Sequence, residues 1–497
     1  MQDLSRKTTS RRRFLAVVGS TGVGAVLAAC VGPGAVPTPT AALPPAVPTK
    51  PAAAATPAPA AAATAAPTTA PAVAATPAAG ATTAAQGTPA AAKPAGAGAP
   101  GGTLKLMRGG GNDAFWSKVF DGFKAKTGIT VETITNTGTV EDGTVPTALK
   151  SGAGPDVVLI NSGPARIGFL AQAGLTKPLD DVYKQLNWTD RLVPFAVNRL
   201  KNQGKIFQGK IWEVPWSLDV IYWNYNKDLY GKVGIKAPDT YDEMIANFEK
   251  LKAAKIYPVT LGVRSSFAGG WLFGNLMQAM IGRDGVADVL FGEGKWDQPG
   301  LVQAAATLQD WVKKEYIPQA ATTLTDQQAS PLFLNKQAAN YCVGTWFVPT
   351  MAEAKVDMEN IDTFSQPPIT KENSSRMPTG GFGSSYVVAA NARDPDTAYK
   401  YLDYYMTDEV TLLIVNDPNQ GTNPPVKIPP GAKPNRFLAK SLDILAHDGT
   451  GYNPSVHVVA TITNTYYQSL QGLLGGQTTP QQAMADIQAA KVKAAQA

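Results

Sequence analysis

Residues 103–160 carry the alternation of strands and helices that decides the fold. The stretch opens with TLKLM (103–107), passes through GGGND (109–113), and continues with ITVETI (129–134) and PDVVLI (155–160). Trp116, Val119, Phe120 and Phe123 recur between the first two strands at the spacing of an amphipathic helix. Because strands that alternate with helices pair in parallel through right-handed crossovers, the stretch predicts an α/β domain.

The rest of the chain extends this pattern beyond the size of one domain. Of 497 residues, the 397 from 101 onward are too many for one ordinary core and suit two domains. The formal charge of +6 comes from the first hundred residues, because the body holds 37 basic and 37 acidic side chains. A neutral body lacks the positive charge that dominates affinity for phosphate backbones, so we exclude nucleic acid as a partner.

The first thirty residues are typical of a lipoprotein export signal. SRRRFL (10–15) has the twin-arginine form, and LAAC (27–30) resembles a bacterial lipobox. The apolar stretch between them, Phe14 to Ala29, is shorter than the roughly 20 residues that span a bilayer. We therefore expect cleavage and lipidation at Cys30, which anchors the protein to the outer face of the cytoplasmic membrane.

Residues 31–100 have the composition of a disordered tether. They consist almost wholly of Ala, Pro, Thr and Gly, with 15 Pro and no aromatic residue. Such a segment cannot bury a core, and repeated Pro interrupts helices. A flexible chain of this length averages roughly 50 Å end to end, so the body is expected to move freely near its anchor.

Few residues of the body are suited to metal or covalent chemistry. It contains one cysteine, Cys342, and two histidines, His447 and His457, which excludes a disulfide framework and disfavours a zinc site. There is no Gly-x-x-x-x-Gly-Lys-Ser/Thr phosphate loop and no Gly-x-Ser-x-Gly elbow. We predict no metal ion and no cofactor, although counting carboxylates does not exclude a calcium site.

One motif supports an alternative function. Gly109 to Ala114 follows a strand and opens a helix, and Glu132 lies on the next strand, which is the layout of a dinucleotide-binding turn. An exported NAD(P)-dependent oxidoreductase is therefore the alternative from another class. Three adjacent glycines are also common in any turn between a strand and a helix.

Ten short blocks, weak singly, occur in the order and spacing of a known family. They are FKAKTGI (123–129), PDVV (155–158), LAQAGL (170–175), PLDD (178–181), VPW (214–216), YNKDL (225–229), PDTYDE (238–243), KQAA (336–339), GTW (344–346) and LGG (474–476). With them, residues 103–497 resemble the bacterial extracellular solute-binding proteins of ABC importers, in the branch that takes oligosaccharides.

The resemblance implies a two-lobed periplasmic-binding-protein fold, type II-like, with an interlobe cleft and hinge strands. Crossovers near 217–219, near 386–388 and within 432–455 give one lobe of 103–217 plus 388–436 and another of 218–387 plus 437–497. It also implies a monomeric receptor without catalytic activity, which delivers a di- or oligosaccharide to a membrane permease with a separate ATPase chain. A non-sugar solute in the same fold is the second alternative.

A sugar site needs flat aromatic side chains for the C–H faces of the rings and fixed polar groups for the hydroxyls. Side chains and amides beside predicted turns and strand ends supply both, so we expect the cleft to be lined by Asn112, Asp113, Asn161, Ser162, Trp216, Asp219, Trp271, Trp346, Gly380, Gly381 and Phe382. Asn112 and Asp113 can equally cap the first helix. We assign four other tryptophans to packing: Trp116, Trp188, Trp212 and Trp311.

Overall fold

A computed structural model describes residues 102–206, 209–264, 267–373, 376–447 and 449–496, with side chains omitted at 202–206. The predicted signal, the lipidation site Cys30 and the tether lie outside these residues. The strands are β1 (Thr103–Arg108), β2 (Thr130–Thr135), β3 (Val157–Asn161), β4 (Val214–Pro215), β5 (Leu218–Asn226), β6 (Tyr257–Thr260), β7 (Ala338–Gly344), β8 (Ile361–Phe364), β9 (Thr379–Phe382) and β10 (Ser384–Val388).

Helices cover the faces of these strands. The α-helices are α1 (Asp113–Thr127), α2 (Thr144–Lys150), α3 (Phe169–Gln172), α4 (Asp180–Gln185), α5 (Trp188–Arg191), α6 (Pro194–Ile206), α7 (Lys227–Lys232), α8 (Tyr241–Ala253), α9 (Phe267–Phe291), α10 (Pro299–Lys313), α11 (Asp326–Leu334), α12 (Val348–Glu353), α13 (Pro395–Tyr405), α14 (Asp408–Val415), α15 (Arg436–His447), α16 (Ala460–Leu474) and α17 (Pro480–Ala495). A π-helical turn spans Pro164–Gly168, and short 3₁₀ turns span Gln319–Thr322, Thr345–Phe347, Met358–Asn360 and Pro454–Val456.

The first sheet has the order β2-β1-β3-β10-β4 and belongs to the lobe that we call lobe 1. β1 pairs in parallel with β2 and β3, whereas β10 runs antiparallel to β3 and β4. Successive residues of a strand face opposite sides of the sheet, so Leu104 and Leu106 join one buried cluster and Met107 joins another. The predicted α/β class is confirmed.

The second sheet has the order β6-β7-β5-β8, with β9 also paired to β5, and forms lobe 2. β6 and β7 are parallel, while β5 is antiparallel to β7, β8 and β9. Two helices of this lobe, α8 and α11, begin at a capping box. At α8, the Thr240 side chain accepts from the Glu243 amide and the Glu243 carboxylate accepts from the Thr240 amide, a reciprocal capping box.

The chain crosses between the lobes in extended segments that pair with each other. The first crossover joins β4 to β5 through residues 216–217, and the second joins β9 to β10 through Gly383. We call residues 216–219 and 381–384 the hinge pair, because the Ser217 amide donates to the Ser384 carbonyl and the Gly383 amide donates to the Ser217 carbonyl. β10, which the predicted boundary divides at residue 387, pairs with β3 along its whole length.

A third passage lies between Val426, which packs in lobe 1, and Phe437, which packs in lobe 2. Among the described residues, no helix is long and apolar enough to cross a membrane. Within the same ranges, no three His, Cys, Asp or Glu side chains converge as a metal site would require.

Candidate functional site

A cavity with a volume of about 570 Å³ lies between the two lobes. Lobe 1 supplies most of its wall, from the turn after β1, the ends of β3 and β4, and residues 136–141. Lobe 2 supplies Phe267, Trp346 and the start of α12, and Gln420 and Thr422 come from the segment that leads into the third passage. A cavity of this size is in the range of small-molecule sites, roughly 300–1,000 Å³.

The wall formed by lobe 1 is a pair of stacked indoles. The rings of Trp116 and Trp216 lie 6.0 Å apart with an interplanar angle of 20°, and both line the cavity. Trp216 is held by its backbone, because the Tyr405 hydroxyl donates to its carbonyl at 2.6 Å. This arrangement offers a flat, fixed apolar surface to a ligand.

Trp116 packs in the core of lobe 1, as expected, and it also contributes to the wall of the cavity. Its ring is 6% exposed and packs against Phe120, yet it also lines the cavity. The reason is that α1 starts directly at the cleft, so a residue in its first turn packs in the core and contributes to the wall. Trp188 and Trp311 are fully buried, as expected, and Trp212 is partly buried.

The facing wall, from lobe 2, is built around Trp346. Its indole meets Trp271 edge-to-face, with centroids 5.0 Å apart at 65°. Trp271 in turn stacks on Phe267, which lines the cavity together with Trp346. Trp271, which the sequence predicts to bind the ligand, does not line the cavity, and it supports Trp346 from behind the wall.

Gly344 determines how Trp346 is presented. A Cβ atom on Gly344 would lie 2.0 Å from Cζ3 of Trp346, which means that the indole lies directly on the Gly344 backbone. No side chain larger than hydrogen fits in this position without moving the indole. The Gly-Thr-Trp order at residues 344–346 is therefore a steric requirement of the wall.

We expect Gly344→Ala to displace Trp346 and to weaken ligand affinity about tenfold, because an edge-to-face aromatic wall depends on orientation. The measurement is a titration of the variant with the ligand of the wild-type protein. Gly231→Ala on α7, where a Cβ meets nothing within 4 Å, is the matched control and should leave affinity unchanged. Equal affinities for both variants would contradict this account of Gly344.

The glycine-rich turn after β1 is organised by Arg108. Its guanidinium donates to the carbonyls of Gly109 and Gly111 and to Asp113 Oδ1 at 2.8 Å. It also lies 5.0 Å from the Trp116 ring. Asn112 lines the cavity in a left-handed conformation with φ of 53° and makes no side-chain cap, whereas Asp113 is engaged by Arg108 and does not line the cavity.

Arg166 and Glu141 form a charged pair that the sequence did not suggest. They meet at 2.9 Å, with the Arg166 side chain 4% exposed, and both line the cavity. Arg166 belongs to lobe 1, but its guanidinium lies 5.8 Å from the ring of Phe267 in lobe 2. The pair thus connects the loop at 136–141 with the floor of the cleft and with the opposite lobe.

Asn161 and Ser162 follow β3 and point to opposite sides of the sheet. Asn161 lines the cavity and accepts a hydrogen bond from the Ser384 hydroxyl at 3.2 Å, which leaves its amide group for a ligand. Ser162 is fully buried and donates to Glu213 Oε2 at 2.6 Å, away from the cavity. Burial raises the pKa of Glu213 to about 7 despite this hydrogen bond.

The other four predicted residues lie at the hinge pair rather than in the wall. Gly380, Gly381 and Phe382 are buried in β9, and residues 380–382 pair with residues 218–220 of β5. Asp219 is enclosed beside Gly383, where a Cβ would lie 2.1 Å from Asp219 Oδ1, and burial raises its pKa to about 8. These residues are placed to shape the hinge.

The cavity is electrically balanced. Two cationic side chains, Arg108 and Arg166, and two anionic ones, Glu141 and Glu353, line it. Aromatic surface on both walls, amide groups such as Asn161 and Asn136, and no net charge suit a neutral polyhydroxylated ligand. Both arginines are already paired, Arg108 with Asp113 and Arg166 with Glu141, so an anionic ligand would have to compete for them.

The structure does not support the dinucleotide site. Gly109, Gly110 and Gly111 line the cavity, but Glu132 is exposed and is paired in register with Lys105, three residues before β1 ends at Arg108. At about 3.3 Å per residue, Glu132 is some 10 Å short of the strand end where a ribose would be bound. Glu132 interacts electrostatically with Arg393, which does not line the cavity.

Comparison with known proteins identifies the family of this two-lobed chain. The chain belongs to the family of bacterial extracellular solute-binding proteins, whose sequence model matches residues 109–411. An uncharacterized ABC transporter extracellular-binding protein of Pyrococcus horikoshii is 25% identical over 333 residues, which cover 65% of this chain and 70% of that protein. The alpha-glucosides-binding periplasmic protein AglE of Rhizobium meliloti is 25% identical over 334 residues, 60% of this chain and 66% of AglE.

A solved structure shows the same fold. The chitin oligosaccharide binding protein superimposes with a TM-score of 0.70 at 24% identity, covering 80% of this chain and 100% of that chain. The predicted family and the two-lobed fold are thus confirmed. Because the sequence alignments leave part of each relative unmatched, the ligand of this chain has to be argued from its own cavity.

Proposed function

We propose that this protein is the receptor of an ABC importer and binds a di- or oligosaccharide in the cavity between its lobes. The observation that carries the proposal is the placement of aromatic surfaces on opposite walls, Trp116 with Trp216 on lobe 1 and Trp346 on lobe 2. Sugar rings stack on such surfaces through their C–H faces, and two walls accommodate more than one ring.

Relatives support the same class of ligand. AglE is described as binding alpha-glucosides, and the matching solved structure as binding chitin oligosaccharides. The neutral charge of the cavity favours a sugar over a polyamine or a phosphorylated polyol, since each of these would need an excess of one sign. The receptor performs no chemistry in this proposal, and its cleft closes by bending at the hinge pair.

The cellular context is also a proposal. Lipidation at Cys30 would hold the receptor at the outer face of the cytoplasmic membrane, with residues 31–100 as the tether. The loaded monomer would then deliver its ligand to a membrane permease powered by a separate ATPase chain. Labelling with a lipid precursor tests the anchor, because incorporation should be lost in Cys30→Ala.

A ligand screen by thermal shift tests the function. A bound sugar raises the melting temperature as its concentration increases. At one hundred times the Kd, binding stabilises the folded protein by about 2.7 kcal/mol. We expect at least one member of a panel of gluco-, chito-, xylo- and malto-oligosaccharides to stabilise the protein, and NAD(P), spermidine and sugar phosphates to have no effect. Stabilisation by NAD(P), or by none of the saccharides, would refute the proposal.

A further inference from the structure

Asn423 lies behind the wall of the cavity, at a point where three parts of the chain meet. It is fully buried and does not line the cavity. Asn423 also lies beyond residues 109–411, the part of the chain that the family match covers. Its contacts join the start of β5, the turn that carries Trp346, and helix α15.

Every hydrogen-bonding group of the Asn423 side chain is used. Nδ2 donates to the Leu218 carbonyl at 2.9 Å and to Thr345 Oγ1 at 3.1 Å. Oδ1 accepts from the Ser441 hydroxyl. Because a carbonyl oxygen can only accept, the bond to Leu218 fixes the orientation of the amide.

The backbone of the same segment reinforces these contacts. The Leu218 amide donates to the Asn423 carbonyl at 2.9 Å, so the two residues are joined in both directions at the end of the first crossover. Two residues earlier, a Cβ on Gly421 would lie 1.8 Å from the Thr345 carbonyl. The segment is therefore pressed directly against the turn Thr345–Phe347.

This turn holds Trp346, and its geometry decides where the indole stands. Thr345 is 2% exposed and is held from two sides, by Asn423 through its hydroxyl and by Gly421 through close backbone contact. The Trp346 indole lies on the backbone of Gly344, two residues earlier in the chain. Loss of the Asn423 amide would free the hydroxyl of Thr345 and the carbonyl of Leu218 together, leaving both buried groups without a partner.

We infer that Asn423 is a positioning residue, which fixes the Trp346 wall to the first crossover and thereby sets ligand affinity without touching the ligand. The part of this inference that concerns ligand affinity rests on the proposed function. Leu218 begins β5 and belongs to the hinge pair, so the Asn423 side chain couples the hinge to the wall. Movement at the crossover is transmitted to Trp346 through one amide group.

The experiment compares Asn423→Ala with Asn340→Ala in the full chain. Asn340 is a matched control, because it is also fully buried in lobe 2 and uses its amide fully, accepting from Tyr230 at 2.7 Å and donating to the Pro258 carbonyl at 2.8 Å. It has no bond to the Trp346 turn. Thr345→Val is a milder variant that removes one hydrogen bond and keeps the branched shape.

The first readout needs no ligand. In protein labelled with 5-fluorotryptophan, the Trp346 resonance is assigned by its absence from Trp346→Phe. We expect Asn423→Ala and Thr345→Val to shift or broaden this resonance, and Asn340→Ala to leave it in place. An unchanged Trp346 resonance in both Asn423→Ala and Thr345→Val would overturn the inference, whether or not any sugar binds.

The second readout is affinity for the saccharide found by the thermal-shift screen. We expect Asn423→Ala to weaken binding about tenfold and Asn340→Ala less than twofold. In a Trp346→Ala background, Asn423→Ala should cause no further loss, because residues that act through one another are not additive. A full additional loss in that background would mean that Asn423 acts elsewhere. Absence of any sugar binding by the wild type would count against the proposed function and leave the fluorine readout to decide on Asn423.

Discussion

Replacement of Trp346 by alanine should reduce saccharide affinity about 30-fold or more. The indole is the main aromatic surface that lobe 2 offers to the cavity, and a central aromatic anchor typically contributes at least about 2 kcal/mol. Isothermal titration of the wild type and Trp346→Ala measures the loss directly. Trp346→Phe keeps a smaller ring and should lose less.

Trp311→Phe is the control for this result. Trp311 is fully buried in the core of lobe 2, where it meets Trp223 and Phe248, so the change should lower the melting temperature and leave affinity intact. Trp116→Ala should behave like Trp346→Ala, because the cavity is lined from both sides. If Trp346→Ala binds as tightly as the wild type, the ligand does not occupy this cavity.

Asp219→Asn should stabilise the protein increasingly as the pH rises. The folded carboxyl group has a pKa raised to about 8 by burial, whereas its ordinary value is 3.8. Between these values the unfolded chain has lost the proton and the folded chain keeps it, so the stability of the wild type falls as the pH increases from about 4 to about 8. Asparagine cannot ionise and avoids this loss.

The expected gain is about 3 kcal/mol above pH 8, after allowance for the partial exposure of the side chain. Urea unfolding of both proteins at pH 5, 6, 7, 8 and 9 measures it. Glu213→Gln is the matched comparison, since the pKa of Glu213 is raised to about 7 and its gain should level off one pH unit earlier. A difference in stability that does not change with pH would contradict the enclosed state of Asp219.

Sequence reasoning succeeded where local pattern and turn chemistry determine the structure. Trp216 and Trp346 follow short motifs at strand ends, and the structure places both in the cavity. The buried strand at 157–161 likewise ends at the cleft, because the carboxyl ends of parallel strands lie at one edge of a sheet.

The alternation of side chains along a strand separates two of the predicted ligand groups. Neighbouring residues of a strand face opposite sides, so Asn161 and Ser162 could not both meet one ligand. The sequence predicts that Gly380 to Phe382 bring backbone amides to the ligand, yet these residues form a strand between the two crossovers. The helical spacing of Trp116 indicates a buried face. Such spacing carries no information about what lies beyond the end of the helix.

Other features could not be obtained from the sequence at all. Arg166 meets Glu141 across 25 positions and Phe267 across about a hundred, and Asn423 joins residues that lie 78 and 205 positions away. Such contacts depend on how the lobes pack, and no periodicity of the chain encodes them. Asn423 also lies beyond residue 411, where the match to the family ends.

The division of the aromatic walls between the two lobes has a kinetic consequence. Neither lobe alone encloses a ligand, so under the proposed function a ligand held between Trp216 and Trp346 leaves as the lobes separate. The lifetime of the complex is then set by how often the hinge reopens rather than by the strength of any single contact. Rapid unloading therefore requires an outside force that separates the lobes, and a receptor of this design holds its cargo until it meets one.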